Sequence, residues 1–338
     1  MFARMFIRYC SRVDFGWSKK GNIGDAIQNI AIENLYKKLG ILESSLTLVN
    51  RDELNLYEGR EIELVMQSYF ADAYGVFPFP IAKRIKPLFL GFHLNPTNNT
   101  RKRFVKEKIG DSFKAYEPIG CRDRNTARFL QKLGLEAYFS GCMTLTLDKR
   151  EKAPENGKIF VVDLCDKALK KLPREIKEVA DFSISHVWQF ENYPLTFDDA
   201  MFFENKAKEI LEVYKNEAKL VITSRIHVAM PCIAMGIPVV FISKALVNAR
   251  FDVLQGLVPV YYYKDIKYVD WMPKAVNIDD VKNAIIRNAK AQILNTDDKV
   301  EALAELDRVL AKLKPIEYLP KWRLFIRKIA VMIKEWLE

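Results

Sequence analysis

No apolar run in the chain approaches the roughly 20 residues needed to cross a bilayer. The opening stretch, Met1-Phe-Ala-Arg-Met-Phe-Ile-Arg-Tyr-Cys10, is broken by arginines where a signal peptide would be apolar. Cysteine is sparse: Cys10, Cys121, Cys142, Cys165 and Cys232 are widely separated, with neither metal-ligand spacing nor the density of a disulfide framework. A reducing, cytoplasmic setting is expected. Only 3 histidines occur and the carboxylates do not cluster, so no catalytic metal site is expected. The chain also lacks a Gly-x-Ser-x-Gly nucleophile elbow, a local cysteine–histidine signature, zinc-finger spacing and an aromatic nucleic-acid signature. These absences argue against a serine or cysteine hydrolase, a metalloenzyme and a nucleic-acid-binding protein.

What remains is an ordinary globular composition. The 338 residues are 49% hydrophobic and 28% charged, enough for two domains with their own cores and incompatible with wholesale disorder. The net charge of +10 favours an anionic partner: a phosphorylated ligand or an acidic membrane surface.

Along the chain, β-type runs alternate with helical ones, the rhythm of an α/β protein with doubly wound sheets. A helix is expected over Ala26–Leu39, stopped by Gly40, and another over Arg124–Leu133, stopped by Gly134. A basic helix is expected over Arg101–Ile109. Strands are expected at Leu46–Val49, Glu63–Gln67, Leu88–Phe92, Ala137–Phe139, Ile159–Leu164 and Ser183–Val187. Further helices are expected over Ala200–Glu217, near Asp279–Leu294 and near Val300–Leu313. The charged segment 148–158, with Pro154 and Gly157, marks a boundary. It separates an N-terminal domain, 1–150, from a second, 158–314, with a distinct amphipathic segment at 315–338.

The most informative stretch runs from Val221 to Ser243. An apolar run ends in Thr223-Ser224, both good helix N-cap types; an apolar helix follows to Gly236, and Pro238–Ile242 forms the next strand. Arg225 and His227 stand at the strand-to-helix junction, where unpaired first-turn amides and the helix dipole favour anions. An arginine and a histidine there suit a phosphorylated or carboxylated ligand, although a surface cap and a core histidine would use the same residues.

Other segments carry related chemistry. Gly21-Asn-Ile-Gly-Asp25 opens a helix, but it lacks the third glycine of a dinucleotide fingerprint and the lysine of a P-loop. Its glycines permit close backbone approach, while Asn22 and Asp25 supply polar atoms or a cap. In Gly120-Cys-Arg-Asp123, Arg122 is placed to bind an anion at a helix start and Asp123 to cap that helix, or the two form a structural pair. Ser140-Gly-Cys-Met-Thr-Leu-Thr-Leu147 precedes the boundary, so Gly141, Cys142 and Thr144 fit either a cleft-facing loop or a short strand. His93 and His186 follow strands and rank below His227, and Arg250 either borders the same pocket or lies on the surface. In the last segment, Trp322, Phe325, Ile326, Ile329, Ile333 and Trp336 recur at helical spacing among lysines and arginines. That helix either packs back across both domains or lies on an anionic membrane.

In order, Gly21-Asn-Ile-Gly-Asp-Ala26, Gly120-Cys-Arg-Asp123 with Thr126, Phe139-Ser-Gly-Cys-Met-Thr-Leu-Thr-Leu147, and Thr223-Ser-Arg-Ile-His227 through Ala234-Met-Gly-Ile-Pro238 resemble the polysaccharide pyruvyl transferase family. Met143 stands where a leucine is common. The resemblance implies two Rossmann-like doubly wound domains facing a cleft, as in GT-B glycosyltransferases. It also implies transfer of a pyruvyl group from phosphoenolpyruvate to two hydroxyls of a sugar, as a ketal, with release of phosphate and no other cofactor; the basic, tryptophan-bearing last helix would suit a lipid-linked oligosaccharide as acceptor. Matched residue by residue, it makes His227, Arg225 and Arg122 the catalytic candidates. Asn22, Gly24, Asp25, Gly141, Cys142, Thr144, Ser224 and Arg250 are the donor-binding candidates. The alternatives are a nucleotide-sugar glycosyltransferase of the same architecture and a non-catalytic member of a polysaccharide assembly complex. The setting expected is the cytoplasm, at the inner face of the membrane if the last helix docks there.

Overall fold

The computed structural model describes residues 1–7, 20–72, 77–190, 195–246 and 248–337; Cys10 lies outside the described residues, as do the side chains of Ile333 and Trp336. The protein is a mixed α/β structure built on parallel sheets. Its strands are β1 (Phe2–Phe6), β2 (Lys20–Asn22), β3 (Thr47–Asn50), β4 (Ile62–Val65), β5 (Ser68–Phe70), β6 (Ile85–Leu88), β7 (Leu90–Leu94), β8 (Ile119–Cys121) and β9 (Ala137–Phe139) in the first half. The second half adds β10 (Lys158–Val162), β11 (Ala180–Asp181), β12 (Val187–Gln189), β13 (Ala218–Thr223), β14 (Val239–Ser243) and β15 (Val260–Tyr262). The helices are α1 (Ile23–Lys38), α2 (Asn98–Lys106), α3 (Ile109–Phe113), α4 (Arg124–Lys132), α5 (Asp166–Leu169), α6 (Arg174–Val179), α7 (Phe197–Glu217), α8 (Ile226–Ala234), α9 (Asp279–Leu294), α10 (Lys299–Ala311) and α11 (Lys321–Leu337).

In the second half a five-stranded parallel sheet runs in the order β11-β10-β13-β14-β15. The chain order reverses between β10 and β13, which is where doubly wound sheets open a crevice at their carboxyl ends. The first half holds two four-stranded parallel ladders, β3-β1-β4-β6 and β5-β7-β8-β9. β4 leads into β5 across Met66-Gln67, and β6 into β7 across Phe89, each pair in parallel register (Val65 with Leu88, Ser68 with Phe92). The two ladders therefore lie along one another. All described strands but β2 and β12 are parallel, so their faces are covered by helices and their residues are near-continuously apolar.

A continuous apolar cluster joins the halves, drawing on α1, the 143–147 segment, α7, α8 and α9. The charged segment at 148–158 is thus a crossing on the outside of a shared core. Polar ties reinforce it: Arg4 of β1 lies 2.8 Å from Glu204 of α7 and 3.1 Å from Glu33 of α1. The buried Lys282 amine donates to the carbonyls of Leu147 (2.7 Å) and Ala234 (2.8 Å), meeting the negative end of α8.

Local expectations hold at most helix ends, and the departures have identifiable causes. The helix expected over Arg101–Ile109 is two, α2 and α3, broken at Lys108 with φ 52°. Ser183–His186 is not a strand; Asp163 accepts from Ser185 Oγ (2.7 Å) and His186 N (2.9 Å), and the His186 carbonyl accepts from Ile23 N (2.9 Å). Those bonds use the groups a ladder would need, and only Val187–Gln189 pairs, antiparallel, with β2. Thr144 and Thr146 sit in a buried 3₁₀ turn, Met143–Thr146. Thr146 Oγ1 donates to the Met143 carbonyl at 2.8 Å, so an alternating pattern that imitates a strand arises from hydroxyls satisfied within the turn.

Candidate active site

A cavity of about 440 Å³ opens at the carboxyl ends of β10, β13 and β14, with Asn22 at the end of β2 joining its lining. Its lining includes Asn22, Asp163, His186, Ser224, Arg225, His227, Lys244 and Arg250. Arg225 directly follows the turn after β13 and occupies the N-cap position of α8 with extended backbone. The expected cap types serve elsewhere. Thr223 Oγ1 donates to the Val162 carbonyl (2.8 Å) and accepts from Arg225 N (3.0 Å). Ser224 Oγ donates to the Ile242 carbonyl (2.6 Å) and accepts from Cys165 N (3.1 Å). Residues 223 and 224 thus lock the switch-point strands together, leaving the α8 N-terminus without a side-chain cap and open toward the cavity.

Across the same switch point, Asp163 ends β10 in a left-handed conformation, φ 45°. Its carboxylate lies 2.5 Å from Arg225 Nε. The bonds it accepts from Ser185 and His186 hold it in place, and it in turn holds Arg225 at the rim. Asp163 is the residue that sequence reading missed most plainly. A lone acid after an apolar strand carries no signal of the positive φ or of the arginine 62 positions later, which only the strand order brings beside it.

His227 is buried, one residue inside α8, where the backbone departs from helical values (φ −85°, ψ 15°). Gly24 of α1 faces it: a Cβ on Gly24 would stand 2.7 Å from His227 Cβ, so glycine there is a requirement of contact between the two helices. Arg122, immediately after β8 and buried, completes the group. Its Nη1 donates to Gln28 Oε1 (2.6 Å) and lies 3.3 Å from His227 Nε2. Gln28 went unremarked in the sequence, although a buried amide on the otherwise apolar face of α1 is the signal that marks it.

The electrostatics follow from burial and crowded positive charge. Burial, then Arg122 and Arg250, push the His227 pKa well below its ordinary value, so the ring is neutral near pH 7. An arginine only donates, so Nε2 carries the lone pair and Nδ1 the proton. Burial and the neighbouring Arg122 also lower the Arg250 pKa, although the side chain stays charged. Arg250 stacks its guanidinium 5.7 Å from the centre of the Tyr69 ring, and Tyr69 stacks on His93. Arg122 Nη2 and Arg250 Nε are buried with no hydrogen-bond partner. Orphaned buried donors are costly, and an anion in their midst would satisfy them.

Asp123 caps α4, accepting from Thr126 N at 2.8 Å, and it accepts from His93 Nδ1 as well. Burial and Arg122 lower the His93 pKa to about 4, so this is a neutral imidazole donating to a carboxylate. The Arg122–Asp123 pair considered in the sequence is thus replaced by separate partners for each residue. Asn22 caps α1, accepting from Gly24 N at 3.2 Å. Asp25 stands in that helix's first turn, 3.9 Å from Arg51.

Gly141, Cys142 and Thr144 do not line the cavity. Gly141 turns with φ 74° against Ile285, while Cys142 and Thr144 are fully buried with their side chains 3.0 Å apart. They support α1 and α8 from behind. Among the described residues, no group of three or more histidine, cysteine, aspartate or glutamate side chains is placed to hold a metal ion, and no helix is long and apolar enough to cross a membrane.

The family model described as "Polysaccharide pyruvyl transferase" matches residues 22–244. No curated protein matches the chain significantly. Among solved structures, a functionally uncharacterized protein, KP1_0663, from Klebsiella pneumoniae is similar with a TM-score of 0.41 and 13% identity, over 74% of this chain and 87% of that one. The S. aureus MnaA–UDP co-structure is similar with a TM-score of 0.38 and 12% identity, over 100% of this chain and 97% of that one.

Proposed function

The chain belongs to the polysaccharide pyruvyl transferase family, and from that premise we propose that it moves a pyruvyl group from phosphoenolpyruvate onto two hydroxyls of a sugar acceptor. The observation that carries this reading is the set of unpartnered buried donors on Arg122 and Arg250 beside a neutral His227. Phosphoenolpyruvate offers a phosphate and a carboxylate, two anionic groups for guanidinium forks. Arg225 and the uncapped start of α8 add a further anion-binding edge. We read the two sheets, with Arg122 ending one strand and Arg225 another, as Rossmann-like domains facing a cleft in the GT-B manner. Domain limits of 1–150 and 158–314 follow, with 315–338 appended, and the setting is cytoplasmic.

The chemistry balances as follows. A proton adds to the donor's methylene carbon, making C2 electrophilic; the first sugar hydroxyl adds there and releases its proton. Phosphate then leaves C2, and the second hydroxyl closes the ketal, releasing a second proton. Of the two hydroxyl protons, one replaces that delivered to carbon and one departs with phosphate. His227, neutral with its lone pair at Nε2 in the free protein, takes up a proton there as the donor binds, because the donor's charge offsets that of Arg122 and Arg250; it delivers this proton to the methylene carbon and recovers it from the first hydroxyl. The arginines hold the anionic groups and stabilise charge on the leaving phosphate.

Thermal denaturation with phosphoenolpyruvate, UDP and a UDP-sugar tests this directly. A ligand at about 100 times its Kd stabilises by about 2.7 kcal/mol. Stabilisation by phosphoenolpyruvate, lost in Arg225→Ala, is expected; stabilisation by the UDP compounds alone would transfer the assignment to a nucleotide-sugar glycosyltransferase.

A further inference from the structure

Helix α11 turns its apolar side away from the protein. Trp322, Phe325, Ile326 and Ile329 are exposed by 61%, 66%, 57% and 41%, although each is of a type that ordinarily seeks burial. At 100° per residue these four fall within one arc of the helix. Arg323 and Arg327 fall on another side and hold the helix to the body. Arg323 donates to Asp265 (2.9 Å), and Arg327 donates to Tyr318 Oη (2.5 Å) and, at 3.5 Å, to the Leu246 carbonyl. Leu324 and Val331, on that side as well, are partly covered. An amphipathic helix normally buries its apolar stripe against its own protein; this one is fastened by its polar side.

We propose that α11 is an interfacial anchor that seats the protein on an anionic lipid bilayer. The 17-residue helix is about 25 Å long. Its aromatic and β-branched residues form one continuous stripe, and in the sequence the same spacing continues through Ile333 and Trp336. Lys321 is exposed beside that stripe, where a headgroup phosphate would meet it. Charge decides between the candidate occupants. A second copy of a chain carrying +10 is repelled over the range at which a leaflet of anionic lipid attracts.

The attachment has a consequence for the cavity. Leu246, to which Arg327 is bonded, lies one residue beyond Ala245 and two beyond Lys244, both of which line the cavity. Docking through α11 therefore holds one wall of the site within about a helix diameter of the lipid surface, within reach of a lipid-linked acceptor's sugar. The anchor itself stands on exposure, helical spacing and charge, and does not depend on the proposed reaction.

Co-sedimentation of the full chain with vesicles of phosphatidylcholine alone, or with 30% phosphatidylglycerol (about one anionic lipid in three), tests the proposal. The expected result is binding to the anionic vesicles, falling as salt rises, and at least tenfold weaker for Trp322→Ser/Phe325→Ser. That variant should keep a melting temperature close to wild type, because the removed groups are mostly exposed and Trp322 gives up only an outer contact with the Arg323 guanidinium. Lys321→Glu, which leaves the apolar stripe intact, should also weaken binding and covers the case in which the double variant fails to fold. Equal failure of the wild type on both vesicles would overturn the proposal. So would a wild-type dimer in light scattering that the variants convert to monomer without any vesicle binding.

Discussion

Arg122 Nη1 lies 3.3 Å from His227 Nε2, so a guanidinium that cannot surrender its proton faces the lone pair of a buried imidazole. Burial first, and this contact after it, hold the histidine neutral, while the arginine is held ready for an anion.

His227 should titrate far below the ordinary histidine range in the free protein, with Nδ1 as the protonated nitrogen. Binding of phosphoenolpyruvate should raise its pKa by at least about one unit, equivalent to about 1.4 kcal/mol of added interaction. NMR of ring-labelled histidine reads both. A His227 already cationic at pH 7 without ligand would refute the arrangement.

Removing either guanidinium should weaken donor binding. A charge-assisted hydrogen bond contributes about 1.5–3 kcal/mol, so Arg250→Ala or Arg225→Ala should raise the Kd for phosphoenolpyruvate roughly tenfold to a hundredfold. Arg225→Lys should not recover wild-type binding, since a single ammonium cannot hold Asp163 and engage an anion as a planar fork does. Calorimetric titration distinguishes the variants.

Gly24→Ala places a methyl 2.7 Å from His227 Cβ. One helix must move, at a cost of about 1–3 kcal/mol. The expected outcome is a folded protein with a lowered melting temperature and turnover reduced more than donor affinity, because the displaced ring is the proton carrier. Wild-type turnover in Gly24→Ala would show that the two helices are not in firm contact.

Acid should unfold the protein through its histidines. Burial lowers the pKa of His93 to about 4 and of His186 to about 3, and it lowers that of His227 as well. Each folded value lies below the unfolded one near 6.5 (about the model-peptide value), so the unfolded state binds more protons in between. Their stabilisation is complete above about pH 6.5 and is lost as the pH falls, by up to about 1.4 kcal/mol per pH unit for each ring. Denaturant midpoints between pH 7 and 4.5 should fall with a slope steeper than one proton. His186→Asn, keeping a polar partner for Tyr214 Oη 2.9 Å away, should reduce that slope.

Much of the local structure was legible in the chain. Gly40, Gly134 and Gly236 follow helices and take positive φ, as their spacing after apolar helical runs indicated. The strand-to-helix junctions carrying Arg122 and Arg225 also lie where residue types placed them. The segments misread were those whose side chains bond locally: Thr144 and Thr146 alternate like a strand but close a buried turn, and Ser224 resembles a cap yet bridges to the Ile242 carbonyl. Local pattern cannot reveal whether a hydroxyl will find its partner in its own helix or across a sheet.

By itself the sequence determined the parallel α/β rhythm, the positive charge and the strand ends that offer arginines, because these depend on periodicity and on turn chemistry within a few residues. The tertiary structure alone decided that Arg122 meets His227 across 105 positions, that Asp163 reaches Arg225, and that Cys142 and Thr144 stand behind the site rather than in it. It also decided that α11 faces outward, since whether an apolar stripe is covered depends on what the rest of the chain leaves room for. The protonation of His227 belongs to the same class: a ring's pKa is set by burial and by neighbouring charge, and both are products of packing.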